Sequence, residues 1–212
     1  MSPTGRARRS LDPSVTALLL TEVQVGVVGD LAVLPRLADS ASEGGIRDAW
    51  VRLVHAARAA DVLIVHATVA HRPGFVGSPM NAPLFEMSRR YSPPIISGTP
   101  SAAPLPELGV PGAAPREVVC ERHGGVSPFF ATDLDQFMRA HGIRSVVIAG
   151  ASVNVGVLAA CIDAVNLGYR AIVPRDAIVG LPSEYVEHVV DNTLSALAEI
   201  LAVDELVACL TR

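Results

Sequence analysis

Apolar runs of strand length alternate along the chain with stretches in which apolar residues recur every three or four positions. This alternation is typical of a parallel β-sheet whose strands are connected by helices. The predicted strands cover residues 15–23, 62–68, 117–121, 145–151 and 171–174. The pattern therefore predicts an α/β protein with three layers, α/β/α, built around a mainly parallel, doubly wound sheet.

The helices are predicted from the helical spacing of their apolar residues and from their start and stop signals. They cover residues 46–57, 132–142, 154–168 and 185–202. In the helix over 154–168, one apolar face is expected to pack on the sheet; it consists of Val157, Leu158, Cys161, Ile162 and Val165. Each helix thus has the apolar side that a covering layer needs.

The domain organisation follows from length and from the absence of any repeat or linker pattern. Residues 11–212 are enough for one sizeable core, so they are predicted to form a single domain. Residues 1–10 are polar and basic and are predicted to be a flexible tail. Residues 72–115 hold most of the prolines and have no periodic pattern. Two interpretations of this long loop stay open: a surface excursion that packs locally or meets a second subunit, and a lid over a pocket.

Composition limits the partners. The chain has 17 basic and 21 acidic residues and a formal net charge of -4, without a long basic segment, so nucleic acid is not an expected partner. No apolar run reaches the ~18 residues of a membrane-spanning helix, so no membrane contact is expected. Cys120, Cys161 and Cys209 are odd in number and widely separated, which predicts reduced thiols and a cytoplasmic protein. Every basic residue is an arginine, which excludes any mechanism that needs a lysine amine.

The carboxyl ends of parallel strands meet at one edge of a sheet, and ligands bind there. The first strand ends with Glu22 and then Gln24. A carboxylate that closes an apolar run is a candidate general acid or base, because partial burial favours its neutral form. The alternative is a structural glutamate that caps a helix or forms a salt bridge.

The second strand is followed by His71 and Arg72. Two histidines alone do not make a zinc or iron site, because such a site needs a third ligand. The spacing of the sequence suggests no third ligand, so no metal is predicted. Arg72 is instead a candidate for binding a substrate carboxylate with its two-pronged guanidinium. Both residues are predicted to contact the substrate.

The third strand leads into Arg122, His123 and two glycines that allow a ligand to approach the backbone. Arg122 is a candidate for binding a substrate carboxylate or an oxyanion, and His123 is predicted to contact the substrate. The alternative is an ordinary ion pair with Glu121 or Asp133 at the rim.

The fourth strand runs into a turn of small residues that opens a helix, from Ala151 and Ser152 to Val155 and Gly156. Free backbone amides and the helix dipole favour an anion at such a turn, so this is the predicted oxyanion site. Many α/β proteins have a similar turn without catalytic duty. Ser152 lacks an evident base and is interpreted as a turn hydroxyl rather than a nucleophile.

A resemblance to a known family spans nearly the whole chain. The residues on which this resemblance rests lie in four parts of the chain. In chain order they are Glu22 and Gln24; Arg122, Ser127, Phe129 and 132–134; 146–150 and 154–164; and 168–169 and 174–177. In this order and spacing the chain resembles the isochorismatase-like hydrolases. The resemblance implies their fold, a homo-oligomer, no cofactor, and a place for Phe129 among the substrate-binding residues.

Members of that family usually carry an aspartate after strand one, a lysine after strand three and a nucleophilic cysteine in the turn after strand four. The matching positions here are Glu22, Arg122 (or His123, with a gap of one residue) and Gly156. Cys161 lies further along the helix and is not expected to replace the missing thiol. The covalent acyl-enzyme route is therefore not expected.

Two functions remain from this resemblance. True isochorismatases resemble this chain in having glycine at the cysteine position, and they cleave a vinyl ether by acid catalysis. The first function is thus a hydrolase that acts on a small polar metabolite, at an enol ether or related C–O or C–N bond, with Glu22 and Arg122 as catalytic residues. The second is a catalytically silent member that binds a small molecule or serves as a scaffold.

Overall fold

The computed structural model describes residues 11–112 and 114–210, in which seven strands form one sheet. The strands are β1 Thr16–Thr21, β2 Leu63–Val69, β3 Glu117–Arg122, β4 Ser145–Ala151, β5 Arg170–Pro174, β6 Ile178–Val179 and β7 Glu199–Leu201. Their order is β3-β2-β1-β4-β5-β7, with β6 beside β4, and every pair is parallel. The predicted three-layer α/β/α fold with a doubly wound parallel sheet is confirmed. The predicted tail over residues 1–10 lies outside the described residues.

The helices cover both faces of this sheet. They are α1 Val25–Val28, α2 Pro35–Glu43, α3 Ile46–Ala59, α4 Pro83–Ser88, α5 Leu134–Ala140, α6 Leu158–Asn166, α7 Ser183–Val189, α8 Ser195–Leu197 and α9 Val203–Leu210. No helix in the described part of the chain is long and apolar enough to cross a membrane.

Two apolar cores lie on opposite faces of the sheet, because successive side chains of a strand point to opposite sides. Along β1, Leu18 and Leu20 belong to one core, while Ala17 and Leu19 belong to the other. Trp50 of α3 is fully buried in the first core, and its indole Nε1 donates a hydrogen bond to the Ala177 carbonyl oxygen at 2.7 Å. The apolar run over residues 17–20 of β1 is therefore explained by burial on both faces.

The helix predicted over residues 185–202 is wrong over its last five residues, 198–202. After α7 the chain forms a π-helical turn over Val190–Leu194 and the short α8, and it then extends into β7. Residues of β7 pair in parallel with β5, so the strand occupies the edge of the sheet. Pairing with a strand that is distant in sequence outweighs the local helical spacing here.

The predicted sheet-facing side of the helix after β4 is also partly wrong. Ile162 and Val165 are 42% and 40% exposed, whereas Ala160, Cys161 and Ala164 are buried. The buried residues lie three and four positions apart, so the regular helix that follows the π-helical turn over Val153–Val157 packs on the sheet with its small residues rather than with its large apolar ones. The same turn carries the residues that line the pocket described next.

Candidate functional site

A cavity of about 150 Å³ opens at the carboxyl ends of the strands, where the chain turns outward in opposite directions from β1 and β4. This is the switch point at which open α/β sheets bind ligands. Six of the predicted site residues line the cavity: Glu22, His71, Arg122, Ser152, Val155 and Gly156. The sheet therefore gathers side chains from four strand ends around one pocket.

Glu22 follows directly after β1 in a left-handed backbone conformation, with φ of 56°. Such a conformation is uncommon for a residue other than glycine and is found more often at functional sites. The Glu22 amide donates a hydrogen bond to the Ala67 carbonyl oxygen of β2 at 2.8 Å, which holds this backbone in place. The side chain consequently leaves the strand toward the pocket.

Arg122 ends β3 and is the direct partner of Glu22. Its Nη2 lies 2.5 Å from Glu22 Oε1, and its Nε donates to the Gly125 carbonyl oxygen at 3.2 Å. The Arg122 side chain is 6% exposed, and its buried Nη1 has no hydrogen-bond partner among the described residues. The ion pair considered for Arg122 is thus formed with Glu22 rather than with Glu121, which accepts a hydrogen bond from Ser97 Oγ.

Gly156 faces the same carboxylate from the turn after β4. A Cβ atom at this position would lie 3.1 Å from Glu22 Oε1 and 2.9 Å from the Ala151 carbonyl oxygen. Both distances are shorter than an ordinary van der Waals contact of a Cβ atom. The Glu22 carboxylate therefore occupies space that a side chain at position 156 would need.

Two backbone amides of the turn after β4 form hydrogen bonds within the turn itself. The amides of Val155 and Val157 both donate to the Ser152 carbonyl oxygen, at 3.1 and 3.0 Å. The amide of Val155 is thus engaged and does not point freely at an anion, in contrast to the simple expectation for this turn. Ser152 Oγ lies at the pocket wall and donates to Asn154 Oδ1 at 3.2 Å. No base is paired with this hydroxyl among the described contacts, which fits its interpretation as a turn residue.

His71 lies in the pocket wall opposite this turn. Its Nδ1 is 2.9 Å from Ser78 Oγ, and its ring packs on Phe75 with 4.7 Å between the ring centroids. Burial, and then the charges of Arg122 and His123, lower the pKa of His71 below its ordinary value. The imidazole is therefore neutral at neutral pH.

Gln24 and Ala151 lie behind the pocket rather than in its wall. The Gln24 side chain is fully buried, and its Nε2 donates to the carbonyl oxygens of Val69 and Ser101 at 2.9 and 3.2 Å. Its Oε1 accepts a hydrogen bond from the Val69 amide at 2.8 Å. Gln24 thus ties the long loop to the end of β2, while Ala151 is buried in the core at the end of β4.

Three further residues that were predicted to bind substrate lie elsewhere. Arg72 is exposed, and His123 is held by the Ala70 carbonyl oxygen, 3.0 Å from its Nδ1. Phe129 is 8% exposed in the second core, where its ring stacks on Tyr169 with 6.1 Å between centroids. The burial of Phe129 follows from its apolar ring, which the core accommodates better than the sheet edge.

The long loop over residues 72–115 supplies a wall of the pocket that the sequence pattern does not indicate. Its contributions include Leu84, Phe85, Ser88, Tyr91 and Ile95. Burial, and then the negative charge of Glu22, raise the pKa of Tyr91. A short turn of helix, α4, carries the first three of these residues, and its brevity explains why no periodic signal identifies it.

The cysteine thiols do not line the pocket. Cys161 is fully buried in the second core, and burial raises its pKa to about 12, so it remains a thiol. Burial likewise raises the pKa of Cys120 to about 11. Within residues 11–112 and 114–210, no group of three histidine, cysteine or acidic side chains is arranged to hold a metal ion.

These features define the class of the protein: a three-layer α/β protein whose pocket at the sheet switch point contains an ion pair between the partly buried Glu22 and the buried Arg122. The chain belongs to the isochorismatase family of hydrolases, because the isochorismatase domain model matches residues 16–205. A maleamate amidohydrolase from Pseudomonas putida is 30% identical over 126 residues, which are 59% of this chain. The chain spans 56% of the length of that relative.

Solved structures support the same fold. An isochorismatase family protein from Burkholderia thailandensis is similar with a TM-score of 0.77 and 23% identity, over 96% of this chain and 98% of that one. A cysteine hydrolase from Pseudomonas syringae pv. phaseolicola is similar with a TM-score of 0.76 and 20% identity, over 96% of both chains. At these identities the comparison concerns the fold rather than the reaction.

Proposed function

We propose that this protein hydrolyses an enol ether or a related C–O or C–N bond in a small molecule, without a cysteine nucleophile. Glu22 is the general acid and base, and Arg122 positions the carboxylate and contacts the substrate. The single observation that carries the proposal is the placement of the Glu22 carboxylate in the pocket, 2.5 Å from Arg122 Nη2 and against Gly156. A thiol nucleophile is not available at position 156, and Cys161 is a buried thiol in the second core.

The proposed reaction follows from the ion pair between Glu22 and Arg122. An ionised carboxylate accepts a proton, so Glu22 takes one from a water molecule while the water oxygen attacks the carbon of an ester or amide bond. The carboxyl group then gives that proton to the leaving oxygen or nitrogen, which regenerates Glu22 and adds one water overall. For an enol ether Glu22 acts first as an acid, so the reaction starts from its protonated form: the carboxyl group protonates the vinyl carbon and leaves an oxocarbenium ion. Water then attacks this ion while the Glu22 carboxylate takes back one proton from the water, and the resulting hemiacetal separates into a carbonyl compound and an alcohol.

Arg122 has two roles in this scheme. Its Nη2 and Nε hold the guanidinium between Glu22 and Gly125, which fixes the direction of the carboxylate. Its buried Nη1 has no hydrogen-bond partner within residues 11–112 and 114–210, and such a donor costs free energy unless a ligand or water satisfies it. An acceptor oxygen of the substrate is a suitable partner, because charge-assisted hydrogen bonds are the strong ones.

The test is a hydrolysis screen of the purified protein against enol ethers, esters and amides. Turnover should disappear in Glu22→Gln, whose side chain has the same shape and no basic carboxylate. Glu121→Gln is the matched control: Glu121 lies on the same sheet edge, accepts its hydrogen bond from Ser97 Oγ at 2.6 Å, and is replaced by an equally good acceptor. Thermal melts verify that both variants fold.

The second candidate is a catalytically silent member that binds a small molecule. It is favoured by the simultaneous replacement of the aspartate, lysine and cysteine that the family resemblance implies, at Glu22, Arg122 and Gly156. No turnover of the folded wild type across the screen supports this candidate. Turnover that persists in Glu22→Gln contradicts the assigned role of Glu22.

A further inference from the structure

The interior of the pocket beyond the ion pair is apolar on two facing sides. The side next to α1 and α2 is lined by Val27, Leu34 and Leu37, and the side from the long loop is lined by Leu84, Phe85 and Ile95. We call the space between these six residues the apolar chamber. Polar substrate groups placed here find no hydrogen-bond partner in these side chains, and burying such groups without partners is costly.

The charges around the pocket balance within the pocket itself. Glu22 and Arg122 form an ion pair at 2.5 Å, and His71 is neutral because burial lowers its pKa. The remaining lining residues in the described part of the chain include no other aspartate, glutamate or arginine. An anionic substrate would therefore meet no unpaired positive charge among these lining residues, and burial followed by the negative charge of Glu22 raises the pKa of Tyr91.

The size of the cavity is the third observation. A volume of about 150 Å³ is that of apolar cavities that bind a single benzene-sized ring. The chamber therefore has room for one ring or a short branched chain, and a larger substrate would extend from the mouth of the pocket.

From these three observations we infer that the substrate is a neutral small molecule with an apolar body, which fills the chamber, and a single acceptor oxygen, which faces Arg122. This inference rests on the proposed function and narrows it, since the small polar metabolite expected from the sequence is replaced by an amphipathic one. A dicarboxylate substrate is excluded, because at least one carboxylate would be desolvated without a counter-charge. The apolar body supplies the binding free energy, and the ion pair supplies orientation and proton transfer.

Binding of three unreactive aryl ethers tests this inference without requiring turnover. The ethers are ethoxybenzene, para-ethoxybenzoate and ethoxyphthalate, which share one body and carry no, one and two carboxylates. Ligand-observed nuclear magnetic resonance titration measures their dissociation constants. Ethoxybenzene should bind the tightest, and each added carboxylate should weaken binding by about tenfold or more, because its desolvation is not compensated.

A pair of variants locates the binding in the chamber. Leu34→Asp puts a negative charge into the chamber at the N-cap position of α2, where aspartate is a favourable residue, so the variant should fold. It should weaken ethoxybenzene binding by about tenfold or more. Leu31→Asp is the matched control, because Leu31 is 42% exposed outside the pocket wall and its substitution should leave the affinity unchanged.

The outcomes separate this inference from the proposed function. Tightest binding of ethoxyphthalate, or equal losses in Leu34→Asp and Leu31→Asp, overturns the apolar substrate class, even if Glu22-dependent turnover is found. No binding of any ether, combined with turnover of polar substrates that Glu22→Gln abolishes, also overturns it and leaves the proposed function intact. Charge-ranked binding in the chamber with no turnover of any substrate supports the pocket specificity and favours the silent binding protein.

Discussion

Adding a side chain at Gly156 is the perturbation that most directly tests the packing of the Glu22 carboxylate. In Gly156→Ala the new Cβ would lie 2.9 Å from the Ala151 carbonyl oxygen and 3.1 Å from Glu22 Oε1, against about 3.4 Å for an ordinary contact. The Ala151 carbonyl oxygen belongs to the backbone of β4 and can move little. The turn that contains residue 156 or the Glu22 carboxylate must therefore shift by a few tenths of an ångström. Such overpacking typically costs about 1–3 kcal/mol of stability.

The expected losses follow from these distances. A cost of about 1–3 kcal/mol lowers the melting temperature of a domain of this size by about 2–12 °C. A carboxylate displaced by a few tenths of an ångström should lower kcat/KM by about fivefold, since a 1 Å misplacement costs about a hundredfold. Gly156→Cys has the same Cβ and an additional sulfur atom, so it should be destabilised further and should not gain cysteine-dependent hydrolysis.

A double-mutant cycle separates the two contacts. Glu22→Asp retracts the carboxylate by one methylene, which relieves the contact with the new Cβ but leaves the one with Ala151. In Glu22→Asp/Gly156→Ala, denaturant unfolding should therefore show a favourable coupling free energy of about 0.5–1.5 kcal/mol. The reasoning is refuted if Gly156→Ala unfolds at the same denaturant concentration as the wild type, or if the coupling is zero.

Two further predictions concern the turn hydroxyl and a buried ion-pair cluster. Ser152→Ala should keep more than about half of the wild-type kcat/KM in the hydrolysis assay, because Ser152 Oγ donates to Asn154 and has no base; a loss of a thousandfold would instead mark it as a nucleophile. His66, Glu117 and Arg58 form a cluster in which Glu117 Oε1 lies 2.7 Å from His66 Nε2 and 2.8 Å from Arg58 Nη2. Burial lowers the pKa of His66 in the folded protein. Below about pH 6.5 the unfolded chain therefore binds a proton at His66 that the folded protein does not bind. The free energy of unfolding should decrease there as the pH falls, by at most about 1.4 kcal/mol per pH unit. Denaturant unfolding at about pH 7.5 and about pH 5.5 measures this fall, which should be smaller in His66→Gln, and an equal fall in both proteins would contradict the role of His66.

The layered fold was predictable from the sequence because burial on both faces of a parallel strand leaves a distinct pattern. β1 and β4 are continuous apolar runs, and such runs between amphipathic stretches leave few alternatives. The missed strand β7 shows where this reasoning stops. Its residues fit a helical spacing, and only the free edge of β5 in the folded sheet makes the extended conformation favourable.

The polar part of the site was predictable for a similar reason. Glu22, Arg122 and Ser152 follow strand ends, and parallel strands bring their carboxyl ends to one edge whatever their separation in sequence. The apolar part was not predictable, because Leu34 and Phe85 look like ordinary surface or core residues in sequence. Their position in the pocket depends on how the segments after β1 and β2 fold back over the sheet edge, which local patterns do not encode.

Glu22, Arg122 and Gly156, which the resemblance places at the three family positions, fit together in the structure. A glutamate is longer than an aspartate, and the space for its carboxylate exists because position 156 has no side chain. Arg122 then pairs with that carboxylate while its Nε is held by Gly125, a geometry that the planar guanidinium permits and a lysine amine does not. Burying an ion pair is seldom better for stability than burying apolar residues of the same size. A pair kept in the wall of a ligand-sized cavity is therefore better explained by work on a ligand than by the stability of the fold.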